Sequence, residues 1–238
     1  MRNIIILDCG PSLKDVSKEF GQSPEWIISS LKKYDIQFTW IKSHSGEKIE
    51  ENIGDAWIIT GSPRSVYDEE DWMSDLASKI REAAKINKPI LGICFGHQLI
   101  AKSFGGKVKL NPMGWELGAY PIDLTKEGLS SSLFKGISDK SIVYESHKDI
   151  VSTIPEDAIL LASNKKGNQA FQLYDTLYGV QFHPEFSLEI IKKYVSIRSS
   201  KGIPVDNPII PESKEIILVW LCDKNYSHHF WILHFEVF

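Results

Sequence analysis

The chain has 238 residues, 42% hydrophobic and 24% charged, with a formal net charge of −4, enough to bury a sizeable core as one domain or as one domain with an appendage. Without a basic cluster there is no support for a nucleic-acid partner, which needs concentrated positive surface. No apolar run approaches the roughly 20 residues that span a bilayer, and Met1–Cys9 lacks the basic start and long apolar region of a secretory signal, so a cytoplasmic protein with no membrane attachment is expected.

Asn3–Cys9 is a near-continuous apolar run, as in a strand covered on both faces. Ser23 is predicted to cap a helix beginning at Pro24, with Trp26, Ile27 and Leu31 on its inner face, before a second strand at Ile36–Ile41. Ala56–Thr60 supplies a third strand. Asp71–Ile86 follows as a helix whose Trp72, Leu76, Ile80 and Ala83 are spaced to face a sheet, and Ile90–Ile93 is a fourth strand. Strands alternating with helices imply an α/β fold with a parallel sheet, in which ligands bind outside the strands' carboxyl ends. The Thr60-Gly61-Ser62 loop and Cys94 both fall at such ends and can share one site.

Pro89–Gly106 organises the chain. The apolar Pro89–Ile93 breaks into Gly92-Ile93-Cys94-Phe95-Gly96, and Gln98–Phe104 then places Leu99, Ile100 and Phe104 on one helical face before Gly105 and Gly106. In G-x-C-x-G the glycines let backbone segments approach closely, holding the middle side chain at the strand's end beside a helix amino terminus. That position favours a thiolate and puts the Phe95 amide where it can stabilise an oxyanion. A cysteine between glycines is also compatible with a small buried core residue. The chain's cysteines, Cys9, Cys94 and Cys222, are too few and scattered for a disulfide framework and lack paired zinc spacing; His228, His229 and His234 with Cys222 complete no recognised metal set.

After Gly106 come short extended pieces, Lys107–Leu110, Leu117–Asp123, Ile142–Ser146 and Ile159–Ser163, read as an antiparallel section. Phe171–Tyr174 and Leu177–Phe182 form a predicted hairpin, and Ser187 caps a helix through Tyr194 towards Arg198. Leu177–Phe182 leads into His183-Pro184-Glu185. If the extended backbone persists through Pro184, its period of two puts His183 and Glu185 on one side. An imidazole oriented by a carboxylate is what a cysteine nucleophile needs for proton transfer.

These residues resemble the class I glutamine amidotransferases. Gly92–Gln98 matches that family's G-I-C-x-G-x-Q elbow and His183–Glu185 its H-P-E. Thr60–Tyr67 is similar to the G-G-P-x-S-V-Y loop of the amidotransferase part of GMP synthetase, with Ser62 replacing the second glycine, where a positive φ would cost a serine. Ser146–Val151 is similar to S-H-x-D-x-V. The four motifs stand in the family's order across most of Met1 to about Ser200.

The resemblance implies a three-layer α/β/α, flavodoxin-like fold with a mostly parallel central sheet over residues 1–200. It implies Cys94 as nucleophile, His183 as general base and then acid, and Glu185 as its orienting partner. Gly61 and Phe95 would supply oxyanion-hole amides, and Gln98, Ser146 and His147 would contact substrate; neither a metal nor an organic cofactor is implied. His97 is at no triad position and is read as structural. Residues 201–238 are read as an extension: Pro204, Pro208 and Pro211 exclude a helix from the linker, and apolar Ile216–Cys222 and Phe230–Phe238 form a final helix or strand packed on the domain.

The implied reaction releases ammonia from the γ-amide of glutamine through a γ-glutamyl thioester on Cys94, passing it to a separate synthetase subunit. The alternative is a free-standing γ-glutamyl peptidase acting on γ-glutamyl peptides or conjugates. A non-enzymatic or regulatory binding module is the third reading, opposed by the intact triad.

Overall fold

The computed structural model describes residues 2–50, 52–205, 215–221 and 230–236. Strand β1 (Arg2–Leu7) is followed by helices α1 (Lys14–Phe20) and α2 (Ser23–Leu31), then β2 (Ile36–Ile41) and β3 (Ala56–Ile59). Helix α3 (Asp71–Lys85), β4 (Ile90–Ile93) and α4 (Phe95–Ser103) complete the first half. Five short strands and a one-turn helix occupy the middle: β5 (Lys107–Leu110), β6 (Glu116–Pro121), β7 (Asp123–Leu124), α5 (Lys126–Ser130), β8 (Ile142–His147) and β9 (Asp149–Thr153). Then come β10 (Ala158–Asn164), β11 (Gly167–Leu173), β12 (Leu177–Val180) and α6 (Leu188–Ser200), and finally β13 (Glu215–Leu221) and β14 (Phe230–Glu236).

The main sheet has the order β2-β1-β3-β4-β12-β11-β10-β7. Its first five strands run parallel, and the last three are added antiparallel. Strand periodicity divides the core into two layers. Ile4 and Ile6 of β1 join Ile58, Leu91 and Ile93 under Ile27 and Leu31 of α2, whereas Ile5 and Leu7 join Trp57 and Ile59 under Leu76 and Ile80 of α3 and Leu99 and Ile100 of α4. Each such side chain contributes about 1.5–3 kcal/mol on leaving water, which is why both sheet faces must be covered. The result is the three-layer α/β/α arrangement with a mostly parallel sheet. Two-stranded antiparallel ribbons, β5 with β9 and β6 with β8, supply the extended pieces of the middle section.

Several expectations need local correction. Helix α2 begins at Ser23, capped by Gln22 in a reciprocal capping box with Glu25, so the Ser23 side chain is free for another partner. Helix α4 begins at Phe95, immediately after Cys94, where the sequence places a helix amino terminus. On α3, Met73 completes the buried stripe while Trp72 lies half-buried against the Phe95 ring. Strand β12 stops at Val180, and Phe186 N–H donates to His183 O at 3.3 Å, so His183–Glu185 is a turn and not extended chain. Ser187 caps α6 as predicted, accepting from Ile190 N–H.

Among the described residues, no helix is long and apolar enough to cross a membrane. The predicted linker crosses residues 206–214, outside the described residues, as do Cys222, His228 and His229. Strands β13 and β14 pair as an antiparallel hairpin, from Glu215 opposite Glu236 to Leu221 opposite Phe230.

Candidate active site

Cys94 sits between β4 and α4 with φ 51° and ψ −98°, a backbone conformation that costs a non-glycine residue about 1–3 kcal/mol. Its neighbours impose that turn. A Cβ on Gly92 would lie 2.5 Å from Gly96 C, and one on Gly96 would lie 2.5 Å from Ile59 O, so both positions require glycine for backbone to pass this closely. Cys94 N–H donates to Val180 O at 2.9 Å, fastening the elbow to the end of β12.

Three residues on, His183 N–H donates to Tyr144 O at 2.8 Å, which hangs the H-P-E turn on β8. His183 Nδ1 lies 2.9 Å from Glu185 Oε1, and Ser23 Oγ approaches the same oxygen at 3.4 Å. The imidazole stacks on Phe186, with centroids 4.0 Å apart and planes 12° apart, and Phe186 stacks in turn on Tyr194. One ring nitrogen is thus committed to a buried carboxylate and the ring plane is fixed, leaving Nε2 for proton transfer. Gly61 comes between Cys94 and His183: a Cβ built on it would lie 3.1 Å from His183 Cε1 and 3.7 Å from Cys94 Cβ. Cys94, His183, Glu185, Gly61 and Ser146 line one cleft that opens to solvent.

The electrostatics run against the thiolate expected from the helix terminus. Burial raises the Cys94 pKa far above its ordinary value, and the Glu145 and Glu185 carboxylates raise it further; the Phe95 amide and the Arg198 charge oppose this without reversing it. Desolvation outweighs one amide and a partial dipole charge, so the environment favours the thiol over the thiolate.

The remaining sequence-predicted residues have other partners. Gln98 is buried and donates through Nε2 to Asp149 O and Gln181 Oε1, both at 3.0 Å, and does not line the cleft. His147 also points away from the cleft: its Nε2 lies 3.1 Å from Glu116 Oε2 and 3.0 Å from Glu145 Oε2. Ser62 has no positive φ; its hydroxyl donates to Cys9 O at 2.7 Å, so serine at this position clamps the loop and causes no strain. Asp149 accepts from Ser65 Oγ at 2.5 Å and from Tyr67 OH at 2.6 Å, tying the loop that carries Gly61 to β9. His97 is fully buried against Phe171, and burial lowers its pKa to about 3, which keeps it neutral and structural.

Glu116, Glu145 and His147 are the described residues whose ligand atoms cluster as a metal site would, all within 4.8 Å. The His147 imidazolium already occupies the centre as their counterion. The two carboxylates raise its pKa to about 10 against the opposing effect of burial, while burial and Glu116 raise Glu145 to about 8. Both groups hold protons more tightly folded than unfolded, so their stabilisation is complete at low pH and is lost as pH rises, for His147 from its ordinary 6.5 through about 10. His147→Gln is expected to cost about 3–5 kcal/mol at pH 7 by removing the buried counter-charge that Glu116 and Glu145 share. It should also flatten the fall of Tm between pH 6.5 and 10, as measured by thermal melts.

The family model described as "Glutamine amidotransferase class-I" matches residues 16–197. The chain belongs to the class I glutamine amidotransferase family. It is 29% identical over 187 residues to "Gamma-glutamyl peptidase 3" of Arabidopsis thaliana, covering 76% of this chain and 75% of that protein. It is 40% identical over 166 residues to "GMP synthase [glutamine-hydrolyzing]" of Caldicellulosiruptor saccharolyticus, covering 66% of this chain but only 30% of that protein. A solved glutamine amidotransferase from Methylobacillus flagellatus superposes with a TM-score of 0.71 at 24% identity, covering 89% of this chain and 82% of that one, and shares its fold. Family members are amidotransferase and hydrolytic enzymes.

Sequence reasoning missed three contributors. Ser23 was read as a helix cap, and nothing local ties it to Glu185, which is 162 residues away. Glu145 precedes the S-H-x-D stretch without belonging to it, and Arg198 enters the sequence analysis only as the end point of the last helix. Only Glu145 carries a sequence signal, its place directly before Ser146, which lines the cleft; Ser23 and Arg198 stand beside no motif.

Proposed function

We propose that Cys94, His183 and Glu185 hydrolyse the γ-amide bond of a γ-glutamyl substrate by acyl transfer. The reading rests on the cleft that Cys94, Gly61 and His183 share, with His183 oriented by Glu185. As substrate enters, His183 Nε2 takes the proton of the neutral thiol and the sulfur attacks the γ-carbonyl carbon. The Gly61 and Phe95 amides receive the developing oxyanion. His183 then gives its proton to the departing nitrogen, the C–N bond breaks, and a γ-glutamyl thioester remains. Water, deprotonated by His183, attacks the thioester carbonyl, and collapse returns the proton to sulfur and frees a γ-carboxylate. No step calls on a metal or an organic cofactor.

In the principal reading the leaving nitrogen is ammonia from glutamine, passed to a separate synthetase subunit. A second reading, a larger amine from a γ-glutamyl peptide, is favoured by the Arabidopsis relative, whose match extends over most of both chains. The experiment is a comparison of kcat/KM for glutamine and γ-glutamyl dipeptides on the pure chain. A dipeptide preference of about tenfold or more, roughly 1.4 kcal/mol in the transition state, identifies the peptidase. Negligible turnover of both that a synthetase partner restores identifies the partnered amidotransferase. Turnover unaffected by loss of Cys94 would overturn both.

A further inference from the structure

We infer that Arg198 is the carboxylate receptor of the cleft, holding a substrate carboxylate on the free edge of its guanidinium while Cys94 reacts. This deepens the γ-glutamyl reading above and rests on it for the identity of the ligand.

Arg198 lies in the last turn of α6, one turn beyond Tyr194, and both line the cleft with Cys94 and His183. Its guanidinium carbon is 4.3 Å from the Trp115 ring centroid and 5.6 Å from that of Tyr194. A guanidinium held over aromatic rings still needs acceptors for its N–H groups, which the rings' π-faces do not supply as a carboxylate would. None is supplied from within the described residues: Arg198 forms no ion pair, and its Nε is buried without a hydrogen-bond acceptor.

A desolvated donor left unsatisfied costs about 1–3 kcal/mol, more when charged, and such groups occur where something else supplies the acceptor. The local charges say what that acceptor is not. Glu185, the carboxylate lining the cleft, commits Oε1 to His183 and Ser23, and its Oε2, buried without a partner, makes no ion pair with Arg198. Arg198 is the only lysine or arginine among the described lining residues, and its charge is felt at Cys94. A fork of parallel N–H groups in a partly dry cleft is best matched by a carboxylate, which accepts two hydrogen bonds at once.

A γ-glutamyl peptide offers two such groups, the α-carboxylate of the glutamyl moiety and the carboxylate of the leaving amino acid. Three ligands separate them. γ-Glutamyl methylamide carries only the first, γ-glutamylglycine carries both, and the α-carboxamide of γ-glutamylglycine carries only the second. Binding to the Cys94→Ala protein is measured by calorimetry with Arg198 intact, with Arg198→Gln and with Arg198→Lys. Thermal melts confirm that each variant is folded.

Loss of the fork is expected to weaken carboxylate-bearing ligands by about 30- to 100-fold in the Gln variant, with partial recovery by Lys, which keeps the charge but not the fork. Weakening of γ-glutamyl methylamide identifies the α-carboxylate as the bound group, with the α-carboxamide ligand then indifferent to the substitution. Weakening confined to the two ligands bearing the glycine carboxylate identifies the leaving group. Equal affinities with and without Arg198 for all three ligands, or no binding of any of them to the Arg198 protein, overturns the inference. Failure of the γ-glutamyl hydrolase reading shows separately, as absence of turnover by the chain with Cys94 intact.

Discussion

Cys94→Ala is expected to reduce hydrolysis of glutamine and γ-glutamyl dipeptides to background, a loss of about 10⁴-fold or more in kcat, because no other group in the cleft can form the thioester. The fold should survive: Ala fills nearly the same space and pays a similar cost for φ 51°, so Tm should move little. The same assignment predicts where a diazoketone analogue of glutamine reacts. 6-Diazo-5-oxo-norleucine should alkylate Cys94 and spare Cys9, which is fully buried with its thiol pKa raised by burial and by Asp8. Mass-spectrometric mapping of the adduct checks this. Label on Cys9 or Cys222, or retained turnover in the Ala variant, would remove Cys94 as nucleophile.

The parallel half of the fold was legible because its strands are buried on both faces. Continuous runs such as Asn3–Cys9 and Ile90–Ile93 announce themselves, and the glycines around Cys94 carry the elbow in their spacing. Helix α1 escaped because Lys14–Phe20 offers only Val16 as a buried anchor, too few apolar residues to set a helical period. Strand β9 escaped because Asp149 is polar and its burial comes from Ser65 and Tyr67, residues more than 80 positions away. The same limit applies at the site. His183 and Glu185 are neighbours in sequence, so their pairing was readable, although a turn produces it and not an extended strand. Gln98 and His147 were matched by motif alone, and motif position does not reveal that Gln181, Glu116 and Glu145 take up their side chains. Nor could it reveal the thiol's protonation, since the opposing terms, burial and a helix terminus, are comparable only once burial is known.

Glu185→Gln is the sharpest test of how His183 is made to work. The substitution keeps the side chain's length and an oxygen near Ser23, but it removes the negative charge facing His183 Nδ1 and makes an amide N–H equally able to point there. Two consequences follow for the reaction. The imidazolium that forms when His183 accepts the Cys94 proton loses its counter-charge, and the tautomer with Nε2 free to accept that proton is no longer enforced. Both matter unusually in the proposed reaction, because burial raises the thiol's pKa and the imidazole is the group proposed to take its proton. The expected fall is about 10²–10⁴-fold in kcat, with KM changed by less than a few-fold, since the carboxylate is spent on His183 and not on substrate. A role confined to stability would look different: Tm would drop while kcat per folded molecule held. Steady-state kinetics with active-site titration separates the two, and an unchanged kcat in well-folded Glu185→Gln protein would take Glu185 out of the reaction.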